Sequence, residues 1–312
     1  MGVFSDIHHL PEFRNAVVTI GTFDGVHLGH REILKEVVNY AKLVNGESVL
    51  ITFDPHPRKL LFPNQPLGLL TPLATKIKLI LDAGIEHIVV MPFTKEFAQK
   101  TANEYIINFI SGLFHPHNII IGYDHRFGND RKGDINLLKQ FGPSLGYEVK
   151  EIPAQLIDDA AISSTKIRNY LILGQISNAN KMLGRFYSLA GIVVHGNKLG
   201  RTIGYPTANI KPNDSDQLLP ALGIYAIKVI HNNITYAGML NIGYNPTVTD
   251  KKELRIEANI FDFNKDIYGQ NLEILFIEKT RNEIKFATLN ELKEQLHQDK
   301  MDAIRANELV NI

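Results

Sequence analysis

Two hydrophobic patterns divide the sequence. Up to about residue 184, short apolar runs rich in β-branched residues alternate with segments whose apolar residues recur every three or four positions. The runs predict buried strands, and the longer period predicts helices. This order predicts a parallel sheet covered by helices on both faces. Strands are predicted at 15–21, 48–53, 87–93 and 118–123, and helices after residue 30, near 71–84, and over 101–114 and 133–142.

From about Phe186 the hydrophobic period changes to two. Short alternating segments are separated by Gly, Pro, Asn and Asp: YSLAGIVVHG, GIYAIKVI, ITYAGMLNIG, LRIEANIFDF and LEILFIEKT. Five or six such strands predict a small antiparallel barrel, and a charged helix follows near 288–308. The change of period predicts two domains, 1–184 and 185–312.

Composition narrows the possible classes of function. The 312 residues include 33 basic and 33 acidic ones, so a polybasic surface for nucleic acid or anionic membrane is not expected. The chain has no cysteine, which excludes disulfides, thiolate metal sites and thiol nucleophiles. No signal peptide is recognisable, and no apolar run approaches the ~18 residues of a membrane span. We therefore expect a cytoplasmic protein, and the sequence predicts no particular oligomeric state.

The first candidate site is the strand-to-helix turn GTFDGVHLGH, residues 21–30. Gly25 and Gly29 are compatible with an ordinary tight turn. His27 and His30 are three positions apart and can face one ligand if His30 opens the helix. A metal is one possible ligand, but Asp24 is the only further donor nearby. A polyphosphate fits better, because the amides of a helix N-terminus would bind it together with the imidazoles.

A second candidate site is the segment ISSTKIR, residues 162–168. Ser163 or Ser164 is predicted to cap the following helix. The hydroxyls, together with Lys166 and Arg168, could also form a second phosphate clamp. The two interpretations are compatible.

The second part of the chain contains the Gly-rich segment GNKLGRTIGYPTANI, residues 196–210. It is not a P-loop, because its glycine spacing is one residue short and Arg201 stands where lysine is required. An ordinary barrel loop remains an alternative for 196–204. Thr207 and Asn209 are two positions apart in an extended segment and offer hard oxygen ligands for Mg²⁺.

Glu257 is a further candidate. It alternates with Ile256 and Ala258, so it projects from the opposite face, together with Arg255 and Asn259. A single strand glutamate is most often a solvated surface residue, and general base catalysis is the alternative.

Several of these motifs together resemble known families. The HxGH pattern of His27–His30 and the segment ISSTKIR resemble the nucleotidylyltransferase superfamily. More closely, GTFDGVHLGH, TFDPHP and GYDHRFGNDRKGD resemble the N-terminal module of bacterial bifunctional riboflavin kinase/FAD synthetases. The resemblance implies a Rossmann-like sheet that transfers AMP from ATP to FMN. By that analogy His27 and His30 are catalytic. The implied nucleotide-binding residues are Gly21, Phe23, Asp24, Gly29, Ser163, Ser164, Thr165 and Arg168, and the implied flavin-binding residues are Asp124, His125, Arg126 and Asp130.

The second part resembles the riboflavin kinase module of the same family. The matching segments are PTAN, GIYA, NIGYNPT and ExxIFDF, in the family's order. The resemblance implies a kinase-type barrel in which Thr207 and Asn209 bind Mg²⁺ and ATP phosphates and Glu257 takes a proton from the ribityl 5′-hydroxyl. The loop over the nucleotide would contain Gly196, Lys198, Gly200 and Arg201. Three positions depart from the family pattern: His125, Asn245 and Asn282.

The sequence as a whole is interpreted as a two-domain enzyme that makes FMN from riboflavin and then FAD from FMN. ATP is the co-substrate of both reactions, and Mg²⁺ is the expected cofactor. A cytidylyltransferase-like enzyme would explain the first part alone and leave Glu257 without a role. A flavin-binding regulator without catalysis is the other alternative, but it would need no catalytic base.

Overall fold

The computed structural model describes residues 1–123, 125–152, 162–196, 200, 203–244 and 254–310, with the backbone alone for Asp130. Two compact units are present, Met1–Ser164 and Thr165–Ile312. Within the described ranges, no helix combines the length and the apolar character that crossing a membrane requires.

The first unit is built on a six-stranded sheet in the order β1-β4-β3-β2-β5-β6. All its neighbouring strands are parallel. The parallel sheet predicted from the sequence is therefore confirmed. Its two outermost strands, β1 and β6, were not among the predicted strands. The strands are β1 Gly2–Phe4, β2 Val17–Ile20, β3 Ser48–Asp54, β4 His87–Pro92, β5 Asn118–Gly122 and β6 Glu148–Ile152.

Helices connect these strands. The predicted helix 101–114 is present, but its middle, Tyr105–Ser111, is π-helical. The wider turn buries Tyr105, Ile106, Phe109 and Ile110 together. The helices are α1 Leu28–Leu43, α2 Pro57–Leu61, α3 Leu73–Asp82, α4 Lys95–Ala98, α5 Ala102–Glu104, α6 Gly112–Phe114 and α7 Ile135–Leu145.

The core of the first unit lies on both faces of the sheet. Alternate strand residues belong to two separate apolar clusters, because successive side chains of a strand point to opposite faces. Val17 and Leu50 pack with residues of α1 and α3. Val18 and Ile51 pack with the π-helical segment and α7. Helices therefore cover both faces, as predicted.

The second unit contains a closed barrel in the order β10-β11-β8-β7-β12-β9. Every pair is antiparallel. The barrel predicted from the sequence is therefore confirmed, and β8 is the strand that none of the five alternating segments identified. The strands are β7 Tyr187–Val194, β8 Ala208–Pro212, β9 Gly223–His231, β10 Ile234–Tyr244, β11 Leu254–Ile260 and β12 Asn271–Arg281.

In the described part of this unit, the barrel is accompanied by α8 Ser164–Ile172, α9 Ile176–Leu183 and α10 Leu289–Glu308. The terminal helix α10 is the predicted charged helix. Its small buried residues Ala303 and Ala306 pack with Ala226, Met239 and Ile277 of the barrel strands. The small side chains allow α10 to approach the barrel closely, and Leu296 and Ile304 of the same helix also pack against this cluster.

The boundary between the compact units falls before the boundary predicted near residue 185. Asn180 of α9 donates to the carbonyls of Phe276 and Ile277 at 2.9 and 3.3 Å, and its Oδ1 accepts from the Tyr187 amide at 2.7 Å. The Leu171 carbonyl accepts from the Ala221 amide at 3.0 Å. These helices therefore belong to the compact unit of the barrel, and the point at which a functional kinase begins stays a prediction.

Candidate active sites

The loop between β2 and α1 forms the first candidate site. Phe23, Gly25 and Val26 all adopt positive φ angles of 46°, 94° and 39°. The chain thus turns sharply at the carboxyl end of a parallel strand, where α/β sheets bind ligands. The helix begins at Leu28 with His27 as its N-cap, so His30 lies in the first turn of the helix.

The two histidines of this loop lie against each other. The His27 and His30 rings stack with centroids 3.7 Å apart and planes at 15°. His27 Nδ1 accepts from the His30 amide at 3.3 Å, which fixes the ring at the helix start. Phe23 contacts His30, with centroids 5.0 Å apart, and a Cβ on Gly21 would press against the Phe23 ring at 3.1 Å. The structure therefore brings both imidazoles to the amide-rich end of α1, together with Gly29 of its first turn.

Asp24 anchors this loop from inside. Its side chain is buried, and Oδ1 accepts from the amides of Leu70 and Thr71 at 3.0 Å each. Oδ2 also accepts from the Leu70 amide at 3.2 Å. A buried carboxylate satisfied by backbone amides holds two chain segments together. Asp24 therefore shapes the loop.

Sequence reasoning missed Lys76 of α3, a buried lysine that lies under the same loop. Its Nζ donates to the Thr22 carbonyl at 3.1 Å and to Thr52 Oγ1 at 3.0 Å. Burial lowers the pKa of Lys76, and the charges of Asp24 and Asp54 oppose that shift. A sequence signal existed, because Lys76 occupies the core-facing position of α3 four residues before Ile80.

The segment at residues 162–168 reaches the same loop through one residue. Ser164 Oγ donates to the Asp24 carbonyl at 2.8 Å. The sequence predicted Ser163 or Ser164 as the N-cap of this helix. Because α8 begins at Ser164, Ser163 is the residue that immediately precedes the helix. Thr165 and Arg168 follow in α8, within the second compact unit.

The expected flavin-binding segment lies after β5. Burial lowers the pKa of His125 to about 4, with a further contribution from Arg131, and its Nε2 is buried without a hydrogen-bond partner among the described residues. Arg126 pairs with Asp134 at 2.8 Å. Asp124 and the side chain of Asp130 lie outside the described part of the chain.

The second candidate site is a cavity of about 320 Å³ on the outer face of the barrel. Thr207, Glu257 and Asn259 line it, together with Leu292 and Leu296 of α10. Asn259 Nδ2 donates to the Pro206 carbonyl at 2.6 Å and so holds the PTAN segment against β11. The outward face predicted for Glu257 is therefore covered, and the site is partly closed to water.

Glu257 stands between two asparagines in this site. In the strand register it lies opposite Asn209 of β8 on one side and opposite Asn241 of β10 on the other. Directly opposed residues share a face, with Cβ atoms about 5 Å apart. Burial raises the pKa of Glu257, and the Arg255 cation opposes the shift. A carboxylate with a raised pKa is a stronger base, which suits proton abstraction.

The glycines of segment 196–210 allow the chain to approach these side chains closely. A Cβ on Gly196 would overlap the amide of Asn209. One on Gly200 would overlap the Tyr205 carbonyl and meet Thr207 Oγ1 at 3.5 Å. Lys198 and Arg201 lie outside the described residues.

An ion pair between β12 and α10 also lines the cavity. Arg281 binds both carboxylate oxygens of Asp299, at 2.7 and 2.6 Å, and Asp299 is 1% exposed. Asn282, one of the departures from the family pattern, accepts from Lys279 at 2.7 Å. Asn245, another departure, is outside the described residues.

The donor set beside Glu257 fits Mg²⁺. A Thr207 hydroxyl and an Asn209 amide oxygen are hard ligands, and Mg²⁺ typically combines few protein ligands with waters and substrate phosphates. Among the described residues, no group of three or more His, Asp or Glu side chains could hold a metal without substrate.

Comparison with known sequences assigns each half of the chain. Residues 10–166 match the family model described as FAD synthetase, and residues 183–307 match the one described as riboflavin kinase. A relative from Buchnera aphidicola, named bifunctional riboflavin kinase/FMN adenylyltransferase, is 39% identical over 96% of both chains. A relative of the same name from Listeria monocytogenes is 37% identical over 92% of this chain and 91% of that one.

This chain belongs to the bifunctional riboflavin kinase/FMN adenylyltransferase family.

A solved structure extends the similarity to the fold. The crystal structure of a Streptococcus pneumoniae protein, described as a macrolide-efflux protein, matches with a TM-score of 0.87 and 33% identity. The match covers 96% of this chain and 97% of that chain. The efflux description applies to that protein.

Family membership confirms the resemblance inferred from the motifs. The chain contains both enzyme domains of the bifunctional riboflavin kinase/FMN adenylyltransferase family, and ATP is the co-substrate that these kinase and adenylyltransferase domains imply. Of the expected site residues, the structure brings together His27, His30 and Ser164 in one unit. In the other it brings together Thr207, Asn209 and Glu257.

Proposed function

We propose that this chain phosphorylates riboflavin with ATP to give FMN and then transfers AMP from a second ATP to FMN, giving FAD and pyrophosphate. The observation that carries the proposal is the register of Glu257 opposite Asn209, beside Thr207 at a partly closed cavity. In this arrangement Glu257, whose pKa is raised by burial, lies next to oxygen atoms that would suit Mg²⁺ and ATP phosphates. Because ATP is abundant in the cytoplasm, we place the enzyme there.

In the kinase reaction, Glu257 accepts the proton of the ribityl 5′-hydroxyl. The hydroxyl oxygen forms a bond to the γ-phosphorus of ATP, and the bond between that phosphorus and the β,γ-bridging oxygen breaks to release ADP. Thr207 and Asn209 would hold Mg²⁺, which neutralises phosphate charge when bound. Gly196 and Gly200 let the loop backbone approach the nucleotide, with Lys198 and Arg201 as the proposed cationic contacts.

In the adenylyltransferase reaction, a phosphate oxygen of FMN attacks the α-phosphorus of ATP and pyrophosphate leaves. His27, His30 and the amides at the start of α1 stabilise the negative charge on the phosphates. Ser163, Ser164, Thr165 and Arg168 are proposed as further phosphate contacts. The remaining nucleotide contacts would be Gly21, Phe23 and Gly29, and the flavin contacts would be Asp124, His125, Arg126 and Asp130.

One assay tests the overall proposal. Purified protein incubated with riboflavin, ATP and Mg²⁺ should yield FMN and then FAD, as resolved by chromatography of the flavins. Omission of Mg²⁺ should abolish both products. A protein that binds flavin without converting it would be a regulator. A protein that converts neither riboflavin nor FMN, yet releases pyrophosphate with another phosphorylated substrate, would support the cytidylyltransferase-like alternative.

The division of activities along the chain gives a second experiment. All residues proposed for FMN formation lie after residue 185, but α8 and α9 contact the barrel through Leu171 and Asn180. We expect a fragment of residues 165–312 to fold and phosphorylate riboflavin. A fragment of residues 184–312 should melt at a lower temperature, because it lacks those hydrogen bonds.

The measurements are a thermal melt followed by circular dichroism and an assay of FMN formation. If the longer fragment unfolds cooperatively but makes no FMN, the kinase site requires the first unit, and the proposed division of the chain is wrong.

A further inference from the structure

Asn241 lies next to the proposed catalytic base, but the resemblance to the family assigned it no role. It lies on β10, directly opposite Glu257, and lines the same cavity. Its Oδ1 is buried and has no hydrogen-bond partner among the described residues. A buried amide oxygen left unpaired costs about 1–3 kcal/mol, so such an atom usually has a partner in the working protein.

The order of side chains across the sheet indicates which substrate Asn241 faces. Asn209, Glu257 and Asn241 occupy opposed positions on the neighbouring strands β8, β11 and β10. Asn209, two residues from Thr207, is a proposed ligand of Mg²⁺ and the ATP phosphates. It therefore indicates on which side of Glu257 the phosphates would bind. In phosphoryl transfer the attacking and leaving oxygens lie roughly in line on opposite sides of the phosphorus. If Asn209 is on the ATP side of Glu257, the rest of the acceptor molecule is placed on the opposite side, towards Asn241.

The cavity continues past Asn241 over an apolar surface. Ile224 of β9 lies opposite Asn241, on the side away from Glu257, and lines the cavity. Met239 of β10 and Leu292 and Leu296 of α10 contribute further apolar lining. An apolar wall suits a flat ring system, while the amide lies between that wall and the carboxylate of Glu257. The polar chain that joins a flavin ring to its reactive hydroxyl would occupy this middle position.

We propose that Asn241 binds the ribityl chain of riboflavin, with Oδ1 accepting a hydrogen bond from a hydroxyl adjacent to the one that is phosphorylated. This inference rests on the proposed kinase function of the second unit. The contact would set the position of the 5′-hydroxyl against Glu257 and would favour acceptors with a polyhydroxylated chain. Asn241 is thus a substrate-binding residue that determines specificity.

The test compares the full-length protein with its Asn241→Leu variant, which keeps the branching and the number of side-chain heavy atoms but removes the amide. We expect kcat/KM for riboflavin to fall by about ten- to a hundredfold. The KM for ATP and the formation of FAD from FMN should be unchanged.

Riboflavin analogues that lack one ribityl hydroxyl provide the decisive readout. Wild type should react poorly with the analogue that lacks the contacted hydroxyl, whereas Asn241→Leu should hardly distinguish it from riboflavin, because the partner is already lost. Equal discrimination by both proteins against 2′-, 3′- and 4′-deoxyriboflavin would overturn the proposal, as would a change confined to the KM for ATP. Wild type that forms no FMN would instead contradict the proposed kinase function.

Asn307→Leu is the matched control. Asn307 of α10 also has a buried Oδ1 without a partner among the described residues, but it is not part of the cavity lining. Its Nδ2 donates to the carbonyls of Ile227 and Ala303 at 3.3 and 2.8 Å. This variant should lower the melting temperature and leave the discrimination among flavin analogues intact. If it changes that discrimination as Asn241→Leu does, the effect is structural and the proposal fails.

Discussion

Replacing Glu257 by Gln is expected to reduce FMN formation by about 10²–10⁴-fold, the usual contribution of a positioned general base. The amide keeps the size of the side chain and its place between Asn209 and Asn241 but cannot accept the proton. FAD formation from added FMN should continue at the wild-type rate, because the residues proposed for that reaction lie in the other half of the chain. Initial rates of both reactions on one preparation provide the measurement and its internal control.

The pH dependence of the kinase offers an independent check. Glu257 must be deprotonated to act as a base, and burial raises its pKa against the opposing charge of Arg255. Wild-type kcat/KM for riboflavin should therefore decline as the pH falls through this raised pKa. The Gln variant should lack that acidic limb. FMN formation that is unchanged in the variant would remove Glu257 from the mechanism.

Replacing His30 by Ala is expected to have the opposite selectivity. The His30 ring stacks on His27 at 3.7 Å at the start of α1. Its removal deletes a proposed side-chain donor to the phosphates and leaves the His27 ring without its stacking partner. Loss of one donor to charge in a transition state typically costs about 10²–10³-fold in rate. FAD formation should fall by this amount, and FMN formation should be spared.

His8→Ala is the control for this variant, because His8 is an exposed histidine of the same unit. It should alter neither activity. Thermal melts of both variants would show whether the fold is retained. If His30→Ala with an intact fold loses both activities equally, or loses neither, the adenylyltransferase site has been placed wrongly.

The main elements of the fold followed from local pattern. The period of the apolar residues predicted the parallel sheet, the barrel and the terminal helix, because a half-buried element must present its apolar residues on one side. The motifs predicted which strand-to-helix turn would carry His27 and His30. They also placed Glu257 on the outward face of its strand.

Contacts between distant segments could not be predicted in this way. The short strand β8 was missed because its sequence, ANIKP, is polar at several positions. It forms a strand because it pairs with β7 and β11. From the sequence alone, Lys76 would be assigned to the protein surface. Its burial becomes evident only in the folded chain, where its Nζ donates to the Thr22 carbonyl and the Thr52 hydroxyl. Likewise, α8 and α9 look like a continuation of the first half, whereas hydrogen bonds to the barrel place them in the second unit.

The sequence by itself determined the types of element, the outward face of Glu257 and, through its motifs, the family. Only the tertiary structure decided that Asn209, Glu257 and Asn241 stand side by side, and that Asp24 supports its loop from within. The physical reason is that periodicity reports which face of an element is buried, which is a local property. Strand register and the burial of polar groups depend instead on which distant segments meet, and those contacts are set by the packing of the whole unit.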